Sequence, residues 1–252
     1  GRKDGMRIFE VRNGKGLSFT VSADRGADIT RLAFMGWNFG FFSPCGYVSP
    51  QYYDQARSGF PKSFTAGFMT TCGLASVGGP CYSETGELLP FHGTVSNTPA
   101  EQVYYTEDDE LCLHAVLRDA QIFGHKLSMD RRISCSLVEN VISITDTVKN
   151  VGDKVSPLMI LYHINAGYPL LDENSVVYIP TEQVTAYNQH AQDGIDRWGK
   201  TSAPQKGTEE QCYFHKITGK GAAGLFQPSF GKGMVIEFDS RELDCFTQWK
   251  MM

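Results

Sequence analysis

Period-two alternation runs through almost the whole chain, and no stretch carries a convincing amphipathic helix longer than two turns. Such a chain must bury one face of each of many short strands, and sheets packed on sheets do this. In GLSFTVSADRGADITRLAFMG, Leu17, Phe19 and Val21 alternate with Ser18, Thr20 and Ser22. A DRGAD turn leads to a second strand, in which Ile29, Leu32 and Phe34 fit the alternation less cleanly. LCLHAVLRD is a further strand with Leu111, Leu113 and Ala115 on one face. KLSMDRRISCSLVENVISITDTVKNVG reads as a strand pair about a tight turn at 138–140. There Leu127, Met129 and Arg131 oppose Ser128, Asp130 and Arg132; Val141, Ser143 and Thr145 then alternate with Ile142, Ile144 and Asp146. SPLMILYHINAGYPLL begins as a strand and ends in a Gly-Pro loop, and SVVYIP, AAGLFQPS, GMVIEFDS and DCFTQWKMM extend the series.

Two segments interrupt the strands. Residues 41–64, rich in aromatics, Gly and Pro, read as a long loop or short helix, and SVGGPCYSETGELLPFHG as another loop. Both exceed common loop lengths, which marks them as candidate functional segments. No internal repeat and no linker appears. The expectation is one large all-β domain over residues 1–252, an antiparallel β-sandwich.

Composition removes several function classes. The chain carries 23 basic and 28 acidic residues, a net charge of -5, which disfavours a general nucleic-acid binder. No run of 18 apolar residues is present, so no membrane-spanning helix is expected. The first residues, GRKDGMRIFEV, show no apolar signal-peptide core. Cys45, Cys72, Cys81, Cys112, Cys135, Cys212 and Cys245 are widely spaced, odd in number and free of CxxC. That argues against a disulfide framework and for a reduced, cytoplasmic setting. There is no HExxH, calcium loop, GxGxxG or P-loop, so neither a metal nor another cofactor is expected.

His163 in ILYHINAGYP follows a buried-looking strand, and a strand continuing through 165 would put it on one side with Asn165. It is either a core histidine satisfied by a carbonyl or a proton carrier. His92 lies in the loop LPFHGTVSNTP, directly before Gly93. His114, His125, His190 and His215 have polar neighbours and read as solvated. Arg25 in DRGAD either holds its own turn by an ion pair or forks onto ligand hydroxyls or a carboxylate. Cys72 with His92 is a weaker nucleophile pair, without a cysteine-protease context. Trp198, Trp249, Tyr52, Tyr53 and Phe64 are candidate sugar platforms or ordinary core aromatics.

Taken together, DRGADI, FMTTCGL, LPFHGTVSNTPAE, LYHINAGYPLL and TQWKM resemble the galactose mutarotase-like superfamily, and more closely its aldose 1-epimerase-like branch. The resemblance spans essentially the whole chain. It implies a large twisted sandwich (a supersandwich) with a sugar groove. It also implies His163 as the general acid toward the ring oxygen and His92 as an assisting or substrate-positioning group. Arg25 would hold sugar hydroxyls, with Asn165, Gln248, Trp249 and Lys250 as pocket residues.

The chain departs from the family pattern at two places. The usual arginine after His-Gly is replaced by the run Thr94, Val95, Ser96 and Asn97. The glutamate base would be expected after TQWKM, beyond Met252, so a piece of a longer protein is expected. Asp28, Glu101 and Glu237 are conceivable stand-ins for that base.

The function implied is anomer interconversion by acid–base ring opening, without a cofactor. The alternatives are isomerisation of a keto sugar or sugar acid, and noncatalytic carbohydrate binding. The expected partner is a small sugar or sugar derivative, with no nucleic acid and no membrane; a homodimer is left open.

Overall fold

The structure, a computed structural model, describes every residue except 57, 58, 85, 218 and 252. These fall in the two long loops, before the strand at 220 and at the end of the expected last strand. The chain divides into two compact units, Gly1–Ala166 and Gly167–Met252. Numbering strands of three or more residues in chain order, the first unit holds β1 (Ile8–Arg12), β2 (Leu17–Ser22), β3 (Asp28–Phe34) and β4 (Met69–Leu74). It continues with β5 (Gln102–Glu107), β6 (Glu110–Ala120), β7 (Lys126–Ser136), β8 (Ile142–Asn150) and β9 (Met159–Ile164). The second unit holds β10 (Val176–Tyr178), β11 (Gln183–Ala186), β12 (Gln211–Lys216), β13 (Lys220–Gln227), β14 (Lys232–Asp239) and β15 (Phe246–Lys250).

In the first unit β1, β2 and β3 pair in order, β5 to β8 form a four-stranded meander, and β9 pairs with β4. In the second, β10-β13-β14 and β11-β12-β15 are separate sheets. Every strand pair is antiparallel. The helices among the described residues are short; Gln189–Asp193 is capped by Asn188 and stops at Gly194. The all-β, antiparallel β-sandwich class expected from the sequence is therefore the class observed. Among the described residues no helix is long and apolar enough to cross a membrane.

The less regular second strand has a local cause. Val21 pairs with Ile29 but Thr20 pairs with Arg31, so Thr30 is an extra residue, a β-bulge. The bulge shifts the alternation by one and lets both Ile29 and Leu32 face inward, where they are buried. β7 follows the simple pattern, with Leu127, Met129 and Ile133 buried. Each such side chain contributes about 1.5–3 kcal/mol by leaving water.

Arg131 shares that inward face and is fully buried. Its guanidinium donates to Gly26 O and Asp28 Oδ1, both at 2.8 Å, and to Thr71 Oγ1 at 2.8 Å. It also donates to both oxygens of Asp146, at 2.8 and 2.6 Å. Tyr162 donates to Asp146 Oδ2 at 2.7 Å, and Thr71 donates to Asp28 through its N–H at 2.9 Å and its hydroxyl at 2.6 Å. One buried polar network thus ties β3, β4, β7, β8 and β9 together. The short strands β1, β4, β5, β11 and β12 are not apparent from the sequence. FMTTCGL in particular shows no clean alternation, yet Met69–Leu74 is β4 with every residue buried.

Candidate functional site

β9 delivers His163. The strand pairs with β4 so that Tyr162 lies opposite Thr71 and His163 opposite Thr70. Alternation sends Tyr162 to Asp146 and His163 to the other side. There the His163 ring meets Phe64 at 5.4 Å between centroids and His92 at 5.8 Å, with the two imidazoles nearly perpendicular at 84°. The strand ends at Ile164, but Asn165 stays hydrogen-bonded, donating from N to Phe68 O and accepting from Phe41 N at its own carbonyl.

His92 arrives from the long loop in a left-handed conformation, φ +58°, followed by Gly93 at +70°. The segment is pinned against β4: Gly73 N donates to His92 O at 3.1 Å, and Thr94 N to Gly73 O at 3.0 Å. A Cβ on Gly93 would stand 2.2 Å from Gly73 O and 2.6 Å from Ser76 O. Gly93→Ala therefore forces the two backbones apart as well as straining φ. We expect it to cost at least about 2 kcal/mol, read as a lowered urea midpoint. A midpoint equal to wild type would show that the bridge is dispensable.

Phenyl rings enclose the pair: Phe60 and Phe91 lie 5.2 and 4.4 Å from the His92 ring. Burial lowers the His92 imidazole to about 4, with neighbouring His163 adding to the effect. Its Nδ1 accepts from Gly78 N–H at 3.3 Å, so the neutral ring carries its proton on Nε2. Burial also lowers His163, partly opposed by the Asn165 side chain. Asn165 is buried and its amide donates to His163 O at 3.0 Å and Ala66 O at 3.3 Å.

These shifts set a pH dependence of stability. A histidine whose folded value lies below its unfolded value is neutral in both states above about 6.5. Below that the unfolded chain binds protons first, so stability falls as pH drops from about 6.5 toward the folded value, about 4 for His92. The urea midpoint should fall between pH 7.5 and 5, and His92→Gln should flatten that fall. An equal slope in the variant would remove His92 as a cause.

Arg25 is buried, and its fork donates to Ser96 O at 2.8 Å, Val48 O at 2.6 Å and Ser63 O at 3.0 Å. Three of its five N–H groups thus hold backbone carbonyls of the 41–64 segment and of the turn at Val95–Asn97. Burial lowers it to about 10, with Asp28 opposing. Tyr53 reaches the histidine loop through its hydroxyl, 3.4 Å from Gly93 O, whereas Tyr52 is exposed. Burial pushes the Cys72 thiol well up, which removes its suitability as a nucleophile.

The carboxylates considered from sequence have other partners: Asp28 is in the Arg131 network, Glu101 pairs with Arg118 at 3.4 Å, and Glu237 with Lys220 at 2.8 Å. Sequence reading missed the Phe60 and Phe91 walls and the Arg131 network. The one available signal was the aromatic density of the long loops.

In the second unit Gln248 accepts from His215 Nε2 at 3.2 Å and donates to Trp198 O at 3.1 Å. Lys250 donates to Arg197 O at 3.0 Å, and the Trp249 indole to Glu210 at 2.6 Å. Two solvated-histidine expectations are corrected. His215 is buried between the Trp198 and Phe246 rings, and His125 bonds the buried carboxylate of Asp119 at 3.0 Å. Local polar neighbours did not reveal contacts made by distant segments.

A crystal structure described as a "putative aldose 1-epimerase" from Klebsiella pneumoniae subsp. pneumoniae MGH 78578 has a TM-score of 0.92 to this chain at 25% identity. The match covers 100% of this chain and 68% of that chain. The Slr1438 protein from Synechocystis sp. PCC 6803 is alike in fold, with a TM-score of 0.63 at 14% identity over 99% of this chain and 87% of that chain. No curated protein matches the sequence. The full-length likeness supports the galactose mutarotase-like superfamily. A family model described as Domain of unknown function (DUF4432) matches residues 3–252, and the chain belongs to that family.

Proposed function

We propose that the chain is an aldose 1-epimerase-like protein that interconverts the anomers of a small sugar, with His163 as the general acid. The observation that carries this reading is the pair of enclosed imidazoles, His92 and His163, 5.8 Å apart and walled by phenyl rings. Mutarotation breaks no carbon–carbon or carbon–hydrogen bond. A proton must reach the ring oxygen while another leaves the hydroxyl on C1; the ring opens, the C1–C2 bond rotates, and the steps reverse. His163 supplies the first proton. His92 donates a hydrogen bond from Nε2 and holds the sugar, and the rings of Phe60, Phe64 and Phe91 cover its C–H face while excluding water. Asp28, Glu101 and Glu237 are engaged elsewhere, so the C1 hydroxyl proton passes to a water at C1 and, on closure, returns from it.

Arg25 has two N–H groups left for a hydroxyl, and Asn165 fixes the β9 end. The sugar-contact roles of Gln248, Trp249 and Lys250 stand on the family resemblance alone.

The test follows freshly dissolved single anomers of a panel of free sugars by proton NMR. Accelerated approach to anomeric equilibrium for at least one sugar is expected. Binding without acceleration on every sugar would make this a noncatalytic carbohydrate binder. Uptake of solvent deuterium on carbon would make it an isomerase.

A further inference from the structure

Asp119 lies one residue before the end of β6 and is 7% exposed. Its carboxylate gathers three donors from three segments. Leu74 N–H donates to Oδ2 at 3.1 Å; Thr94 Oγ1 and His125 Nε2 each donate to Oδ1 at 3.0 Å. Leu74 follows Gly73, and Thr94 follows Gly93. Those two glycines are the partners of the parallel bridge that holds the histidine loop on β4. One carboxylate therefore clips both sides of that bridge, one residue beyond it on each side. Charge-assisted hydrogen bonds of this kind are stronger and more directional than neutral ones.

His92 needs such support. A non-glycine residue in the left-handed region persists only where its surroundings over-determine it. Among the described residues three side chains bond the 93–94 segment: Tyr53 at 3.4 Å to Gly93 O, Thr98 at 3.1 Å to Thr94 O and Asp119 at 3.0 Å to the Thr94 hydroxyl. Only Asp119 also holds β4, through Leu74. An amide in its place would turn an NH2 group toward either the Leu74 N–H or the Thr94 and His125 donors.

We propose that Asp119 is a positioning residue: through Thr94 it holds the His92 imidazole in the orientation the acid–base step uses, while His125 holds Asp119. The proposal rests on the function proposed above. Thr94→Val removes the hydroxyl and keeps the shape; Thr94→Ser keeps the hydroxyl. Both are compared with wild type in anomer exchange and by proton–nitrogen NMR of the imidazoles.

Thr94→Val should lower kcat/KM about tenfold, since a misplaced His92 no longer holds the sugar squarely against the acid. It should also shift the His92 ring signals, and Thr94→Ser should restore both. Asp119→Asn should behave as Thr94→Val; if it does not fold, the threonine pair carries the test. Wild-type kcat/KM and His92 signals in Thr94→Val would overturn the proposal, as would a loss that serine does not recover. If wild type exchanges no anomers, the functional reading fails and the ring signals alone decide: a shift in valine reversed in serine supports positioning, and no shift overturns it.

Discussion

His163→Asn should lower catalysed anomer exchange by at least about 100-fold, the usual scale for removing a positioned general acid. The variant should keep the fold, because asparagine is smaller than the ring it replaces and the backbone carbonyl at 163 still accepts from the Asn165 amide. The pH profile separates loss of the acid from loss of shape. A general acid works in its protonated form, so kcat/KM should fall as pH rises through its pKa. Burial sets that pKa below the ordinary histidine value of 6.5, with Asn165 partly opposing. The wild-type profile should therefore begin to fall with rising pH already at a pH under 6.5, and the variant should lose that limb. A limb that survives in His163→Asn would assign the acid to another group.

Arg131→Met should destabilise the protein by about 3–5 kcal/mol, the scale for removing one partner of a buried ion pair. Arg131 is fully buried and bonds both Asp28 and Asp146, so the variant leaves two carboxylates in the core without their cation. Burial already raises Asp28 with Arg131 present. Without Arg131, which now opposes that rise, the Asp28 carboxyl should stand further above its unfolded value. Stability that depends on such groups is present at low pH and lost as pH rises through the folded value. The variant should therefore regain part of its urea midpoint between pH 7.5 and 5, opposite in sign to the histidine effect in wild type. A loss under about 1 kcal/mol with no such recovery would mean that the network contributes little net stability. The network bears on function because Thr71 and Tyr162 pair across β4 and β9, setting the register that aims His163.

Much of the fold was legible because alternation is a local signal. The hairpins β2–β3 and β7–β8 read directly from side-chain period, and the bulge at Thr30 explains the one strand that read poorly. Strands such as β4 carry Thr, Cys and Gly in place of a clean apolar stripe; they are strands because neighbours enclose both faces. Legibility of the site divided in the same way. His92 and His163 stood out by residue type and loop context, but 71 positions of sequence separate them. Nothing in LPFHG or LYHIN says that their rings meet.

Sequence by itself determined an all-β chain of short antiparallel strands, two long loops and two histidines of interest, since each follows from residues within a few positions of one another. Tertiary structure alone decided that Arg25 grips three carbonyls, that Arg131 carries a buried ionic network, and that Asp119 clips the loop bearing His92. Those contacts join segments far apart in the chain, and their energies depend on burial that no local pattern encodes.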